Sequence, residues 1–513
     1  MQVLQSMVCD DEDVLKAIRS LKSNTTSGPD GVSAVMLKAC SKTLCGRLSC
    51  IFNSSFSSGK VPTAWKTSRV TPIYKKGDPS LVQNYRPISL LSLIGKLQER
   101  LVHQVLMTHL LQQNAISPSQ FGFRPGSSTQ EALVSMTQVW HKHLEAGLST
   151  ACVFLDLAKA FDSVPHHGVI SALSAAGVTN PLLGWFSDYL SNRRQFVALD
   201  GSTSFTCKVT SGVPQGSILG PLLFILTFDG IFRLPLSPGS NLSGYADDAT
   251  YSRSISGACD QSTVLEDLQM ICHWLSSHGF RLNVTKVKAM IISRKKKPPT
   301  FSIDLQGEPL EFVDSFRLLG VTITSDLTWR HHISEITSKA KRLLGFLYRL
   351  FRDSNPHCLA RLYKAIVLPH LDYCSCVWDP LHVTHIAKIE RVQSFAARIV
   401  TNDWSRESQE LKSELGWPSL AKRRLFQKLC VCRKIVSGNS IIPSDFFQTA
   451  PRKCASHKNS TPLYSPFVRT KHHKSSFKLS IISHWNQIPE EVASVASYPI
   501  FKRRLHAHLF GNP

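Results

Sequence analysis

GYADDATYS, residues 244–252, sets two adjacent acids, Asp247 and Asp248, between a short apolar approach and a Thr/Tyr return. The pattern predicts a β-hairpin with both carboxylates at its bend. A lone Asp-Asp pair is commonest as a turn on a solvated loop, but this one has company. ACVFLDLA (151–158) is a short β-branched and aromatic run that reads as a buried strand delivering Asp156 near its end. SGVPQGSILGPLLF (211–224) falls between the two acidic stretches. Carboxylates crowded on neighbouring strands raise one another's pKa, so the arrangement is unfavourable without a cation. Magnesium takes hard carboxylate oxygens together with waters and phosphates.

Nucleotidyl transfer needs a hydroxyl made nucleophilic and a pyrophosphate leaving group neutralised, which two metal ions about 3.5–4 Å apart can do together. The order LDLAKAFD, then PQG, then YADD is the order a template-copying polymerase palm requires. Further motifs extend it in both directions: SGPDGV (27–32), VTPIYKKGD (70–78), NYRPISLL (84–91), QFGFRPGSST (120–129), LDLAKAFDSV (155–164), GVPQGSILGP (212–221), LNVTKVK (282–288), LLGVTI (318–323), YKAIVLPHLDYCSCVW (363–378) and WNQIPEEV (485–492). On these motifs the chain resembles the reverse transcriptases of LINE-type, non-LTR retrotransposons, in the jockey-like range, over nearly its whole length.

The resemblance implies an α+β chain with a right-hand polymerase fold: fingers, a palm with an antiparallel sheet and a helical thumb, followed by a basic, mainly helical C-terminal region. It implies RNA-directed DNA polymerase activity, with an RNA template, a DNA primer and deoxynucleoside triphosphates as partners. Two Mg²⁺ ions are the implied cofactor, with Mn²⁺ as a substitute. Asp156 and Asp247 become the main metal ligands, Asp248 the supporting acid and the carbonyl of Leu157 a further candidate ligand. Phe161 matches a bulky gate against a ribose 2′-hydroxyl; by spacing alone it reads equally as a core aromatic. Gln215 sits in a Pro-Gln-Gly turn, where in similar enzymes it contacts the incoming nucleotide or template, and Gly212, Gly216 and Gly220 let the backbone approach closely. Lys75, Lys76 and Arg86 match fingers positions that hold triphosphate oxygens, and which lysine reaches the phosphate stays open. Lys286 matches a lysine acting as general acid toward pyrophosphate, or is a solvent-facing lysine. Asp162 reads as a structural acid, with a surface or helix-capping role as the alternative. LLGVTI resembles a primer-grip hairpin.

Composition agrees with a polyanion partner. Lys plus Arg exceed Asp plus Glu by 59 to 36, a net charge of +23, and residues 401–513 alone carry 18 Lys/Arg against 7 Asp/Glu. A solvated basic face is the other reading of that excess. The runs RKKK (294–297), KAKR (339–342), KRR (422–424) and KRR (502–504), with Trp329, Trp378, Trp417 and Trp485 between them, suit a surface that tracks phosphates, although the tryptophans read mostly as core. At 513 residues the chain can bury several cores.

The N-terminus has no basic-then-apolar signal pattern, and its acidic cluster reads as the first turn of a helix. The longest apolar stretch, Ile218 to Phe228, contains Gly220 and Pro221 and falls short of the roughly 20 residues a membrane helix needs. An intracellular protein, in the nucleus or a cytoplasmic ribonucleoprotein, is expected, with no membrane partner. The 14 cysteines are scattered. Cys374/Cys376 and Cys430/Cys432 have one-residue gaps and read as buried free thiols, while Cys454 and His457 make only half of a zinc site.

Residues 130–148 read as an amphipathic helix, and the pattern turns helical after about residue 325. The expected divisions are an N-terminal extension (1–54), fingers and palm (55–324), a thumb-like helical domain (325–440) and a basic C-terminal region (441–513). Elements of this type usually carry an upstream endonuclease, which this sequence leaves no room for, so nicking is expected to come from elsewhere. Two other readings stand beside the reverse transcriptase. One is an RNA-dependent RNA polymerase, against which Phe161 and the AFDSV context weigh. The other is a catalytically inactive or host-retained derivative that only binds RNA or DNA, against which the three intact acids weigh.

Overall fold

In the computed structural model, which describes residues 3–451 and 461–511, strand Ser149–Leu155 lies at the centre of a five-stranded sheet. All of its residues are buried, so both of its faces need cover. Alternation along the strand supplies it. Ala151, Val153 and Leu155 enter one hydrophobic core, and Cys152 and Phe154 enter a second on the other face. The neighbouring strand Lys288–Ile292 divides in the same way, with Ala289 in the first core and Met290 and Ile292 in the second. Each fully buried aliphatic or aromatic side chain here contributes about 1.5–3 kcal/mol, so a one-residue slip, which would exchange the faces, is strongly disfavoured.

The sheet order is Glu311–Phe312, Lys288–Ile292, Ser149–Leu155, Asp248–Ile255, Ser240–Tyr245. Its neighbours are antiparallel except at one edge, where Glu311 and Phe312 run parallel to Lys288 and Ala289. The expected antiparallel sheet therefore ends in a parallel pair. A parallel neighbour needs a crossover, and the chain makes it through a small hairpin, Asp304–Leu305 with Glu308–Pro309.

The first core joins the palm sheet to helices Leu93–Gln112, Leu182–Leu190, Leu219–Phe228 and Gln261–Ser277, and to the N-terminal helices Asp11–Arg19 and Ser41–Ser58. Helix Asp11–Arg19 starts with a capping box between Asp10 and Asp13, as its acidic first turn predicts. A separate sheet pairs Thr67–Tyr74 with Tyr85–Leu90 antiparallel and with Arg194–Leu199 parallel. This forms the fingers.

The second core joins the other palm face to helix Thr129–Glu145, the hairpin Ser315–Leu318/Val321–Thr324 and the C-terminal helices, chief among them Arg330–Phe351, Val383–Thr401, Leu420–Val436 and Tyr498–Phe510. Trp378, Trp417 and Trp485 are buried in it, and Trp329 is half-buried. One expectation needs correcting. Arg424, in the basic run 422–424, is buried and not on a phosphate-tracking surface; it and Lys428, one turn on, both pair with Asp379 at 2.7 Å. Helical periodicity turns this side of the run inward. Cys374, Cys376, Cys430 and Cys432 are buried free thiols, while Cys454 and His457 lie outside the described residues. Among the described residues no helix is long and apolar enough to cross a membrane.

Candidate active site

The register of the central strands determines where the acids meet. Leu155 pairs with Ala249, so Asp156, the next residue, comes to lie across from Asp248. Asp248 closes the hairpin opposite Tyr245, with Ala246 and Asp247 as the two-residue bend. Ala246 takes the left-handed conformation (φ 59°) that a tight hairpin requires. Beyond Asp156 the chain pairs with 281–283: the Asp156 carbonyl accepts from Asn283 N–H at 2.8 Å, and Ala158 N–H donates to the Arg281 carbonyl at 2.8 Å. These two bonds flank the Leu157↔Leu282 bridge, so the Leu157 carbonyl stays outside this ladder. The same pairing brings Lys286 Nζ to 3.6 Å from Asp156 Oδ2.

The carboxylates influence one another. Burial, then the charge of Asp156, raise the Asp247 pKa above the usual carboxylate value, with Arg86 opposing. Burial, then Asp247 and Asp156, push Asp248 up to about 6. Asp248 nonetheless keeps an exposed face and Asp156 is 39% accessible, so the cluster opens to solvent on one side. Among the described residues no group of three or more His, Cys, Asp and Glu side chains is arranged to hold a metal ion by itself. An open set of hard oxygens, with Asp247 and Asp248 raised in pKa, still fits a magnesium-like cation, which is usually held by one or two carboxylates plus waters and substrate phosphates.

A residue to which the sequence reading gave no role holds the bend. Gln120 is fully buried; its Oε1 accepts from Ala246 N–H at 2.9 Å and its Nε2 donates to the Ala246 carbonyl at 3.1 Å. Gly122 N–H also donates to that Oε1, at 2.8 Å. On either side Phe121 N–H donates to the Gly244 carbonyl (2.8 Å) and Gly244 N–H to the Ser119 carbonyl (2.9 Å). The available signal was the glycine in QFGF: a Cβ on Gly122 would lie 2.2 Å from Ala246 N.

The remaining expected residues are distributed as follows. Arg86, opposite Ile73 in the fingers hairpin, lies near enough for its charge to act on Asp247. Lys75 and Lys76 are exposed at the hairpin's turn and make no ion pair among the described residues. Phe161 is half-buried, stacked on Phe224 (centroids 4.6 Å apart) and perpendicular to Phe123 (6.2 Å), so it packs at the margin of the first core. The Gln215 carbonyl accepts from Ser89 N–H at 2.7 Å, and its side-chain amide donates to Asp162 Oδ1 at 2.8 Å. A Cβ on Gly216 would lie 2.4 Å from the Ser89 carbonyl oxygen, which accounts for the glycine after Gln215. Asp162 does not cap a helix; it lies inside the short helix Ala160–Ser163, whose N-cap is Lys159. LLGVTI forms a tight hairpin with Leu319 and Gly320 at positive φ, and Tyr373 Oη donates to the Leu319 carbonyl at 2.8 Å.

An acid-tipped strand beside an acidic hairpin, with β-fingers on one side and helices on the other, defines a right-hand polymerase fold. Residues 73–323 match the family described as reverse transcriptase (RNA-dependent DNA polymerase). The probable RNA-directed DNA polymerase from transposon BS of Drosophila melanogaster is 30% identical over 403 residues, covering 76% of this chain and 44% of that protein. The RNA-directed DNA polymerase from mobile element jockey of the same fly is 30% identical over 390 residues, covering 73% and 42%. The chain thus spans less than half the length of the curated relatives it matches. A solved apo telomerase from Candida tropicalis aligns at a TM-score of 0.37 and 13% identity over 56% of this chain and 59% of that one, a likeness too slight to build on. The chain is thus similar, through residues 73–323 and beyond, to the reverse transcriptases of non-LTR retrotransposons. That family generally uses divalent metals.

Proposed function

We propose that this chain is an RNA-directed DNA polymerase that adds deoxynucleotides to a DNA primer 3′-hydroxyl on an RNA template. The observation that carries the reading is the convergence of Asp156, Asp247 and Asp248 at one end of the palm sheet, two of them with raised pKa values. In this reading Asp156 and Asp247 are the main ligands of two Mg²⁺ ions, for which Mn²⁺ can substitute, Asp248 supports them and the Leu157 carbonyl completes the set. Bound there, two such ions would activate the hydroxyl and neutralise the departing pyrophosphate.

The chain's own groups supply the rest. Arg86, with Lys75 and Lys76 on the exposed fingers turn, draws in and orients the triphosphate. Lys286, 3.6 Å from Asp156, is within a side-chain swing of the leaving group and can give it a proton. The half-buried Phe161 excludes a ribose 2′-hydroxyl, and Gln215 contacts the nucleotide or template. Fingers and palm are assigned to 55–324 after an extension over 1–54, the thumb to 325–440 and a nucleic-acid-binding region to 441–513, in an intracellular ribonucleoprotein.

The test is primer extension by the purified protein with Mg²⁺, an RNA template, an annealed DNA primer and deoxynucleotides, beside the Asp247→Ala/Asp248→Ala double variant. Extension by the parent and not by the variant is expected. Nucleic-acid binding without extension by the parent would overturn the proposal.

A further inference from the structure

The loop bearing Gln215 is tied at several points to the four residues that bear Phe161. Val213 N–H donates to the Phe161 carbonyl (2.9 Å), Gly212 N–H to the Val164 carbonyl (2.8 Å) and Ser211 Oγ to the Asp162 carbonyl (3.1 Å). From the other side, Ser89 N–H, on the fingers strand that also carries Arg86, donates to the Gln215 carbonyl at 2.7 Å. The backbone of Gln215 is therefore held between palm and fingers. Its terminal amide would still rotate about the Cγ–Cδ bond but for one contact, Nε2 to Asp162 Oδ1 at 2.8 Å. That amide is the only side-chain partner of the Asp162 carboxylate among the described residues.

A carboxylate accepts and does not donate, so it can face only the –NH₂ end of a primary amide. Hydrogen bonds to an ionised acceptor are also roughly twice as strong as neutral ones. Asp162 thus turns the Gln215 carbonyl oxygen away from itself, as an acceptor of fixed polarity. We infer that Asp162 is a positioning residue: by fixing the orientation of the Gln215 amide it presents the acceptor oxygen on the side away from Asp162 to the incoming nucleotide and template, and so contributes to nucleotide selection. The inference rests on the polymerase reading above. The sugar gate shares the same supporting segment but is a separate device, because Phe161 is held by its own contacts with Phe224 and Phe123.

Asp162→Asn is nearly isosteric and can either donate or accept, which releases the amide to flip. Single-nucleotide incorporation by the full chain on an RNA template is the assay. Asp162→Asn should raise the deoxynucleotide KM and the misinsertion frequency roughly tenfold, with kcat within about threefold of the parent, and leave deoxynucleotide-over-ribonucleotide preference and Tm unchanged. In a Gln215→Ala background the same substitution should add nothing, since coupled residues are non-additive. An active parent with an unaltered Asp162→Asn variant overturns this inference alone, as does an Asp162 effect that persists undiminished without the Gln215 amide. A joint fall of Tm, kcat and sugar preference would make Asp162 a structural support and overturn it too. A parent that extends no primer overturns the polymerase reading, and this inference with it.

Discussion

Replacing Gly122 by alanine puts a methyl group into the backbone of the acidic bend. The added Cβ would lie 2.2 Å from Ala246 N, 2.8 Å from Ala246 Cα and 3.0 Å from Ala246 Cβ. Real Cβ contacts do not fall below 3.0 Å, so the two segments must part by at least about 0.8 Å. Neither has a flexible end that can yield. Gly122 is tied to Gln120 through its own N–H, and Ala246 is bound by Gln120 at both its N–H and its carbonyl. The residue that moves most directly with Ala246 is Asp247.

A misplacement of about 1 Å at a reacting centre costs on the order of 100-fold in rate, so kcat for primer extension should fall about that far. Parting the segments also weakens the Gln120 bonds, and leaving a buried backbone group unpaired costs about 1–3 kcal/mol. A Tm several degrees lower is expected, with the protein still folded at 25 °C. Gly345→Ala is the control: it lies in helix Arg330–Phe351 with nothing within 4 Å of the new Cβ, and should keep parental kcat with equal or higher Tm. The experiment measures extension kinetics and thermal unfolding of both variants. Parental kcat in Gly122→Ala would refute the reasoning that this contact positions the acids.

Three further predictions concern charge. Without a divalent ion the acids repel, so Asp248→Asn should stabilise the metal-free protein by about 0.5–1 kcal/mol after solvent screening and shrink the Tm gain that Mg²⁺ gives; a parent Tm indifferent to Mg²⁺ and EDTA would refute this. Asp379→Ala strands the buried cations Arg424 and Lys428 and should cost about 3–5 kcal/mol in urea unfolding; a loss under 1 kcal/mol would show that the cations find other partners. Where helix Lys471–Lys474 packs on helix Thr129–Glu145, burial, then neighbouring positive groups, hold His141 well below its usual pKa; burial, then Arg294, lower His472 to about 4; and burial lowers His473 against the pull of Glu145. A histidine whose folded pKa is depressed binds fewer protons folded than unfolded, so stability is full above about pH 6.5 and declines toward pH 4, His472 alone accounting for about 1–3 kcal/mol. Denaturant midpoints that stay flat across that range would contradict the burial of these rings.

Much of the palm was legible because its signals are local. The β-branched and aromatic run ACVFLDLA (151–158) marks a buried strand ending near Asp156, and the two acids in GYADDATYS mark a bend. Each depends only on neighbours a few residues away. Gln120 was not legible as the clamp on the acidic bend, because its partner Ala246 is remote in the chain and both of its bonds go to backbone atoms, which carry no residue identity. Arg424 was read as surface because a basic triplet looks alike whichever side of a helix faces in. Asp162 was read as a structural acid or cap because its partner, Gln215, belongs to a different motif.

By itself, then, the sequence determined the kinds of groups present and their order: hard oxygen donors on a strand end and a hairpin bend, glycines at close approaches, an excess of cations. The tertiary structure alone decided which of these meet. The pairing of Leu155 with Ala249 sets Asp156 across from Asp248, and it is selected by the burial of two opposite faces against two different cores, summed over many side chains. No local stretch contains that sum, so the convergence of the acids, the clamp of Gln120 and the fixed amide of Gln215 come into being only when the sheet is assembled.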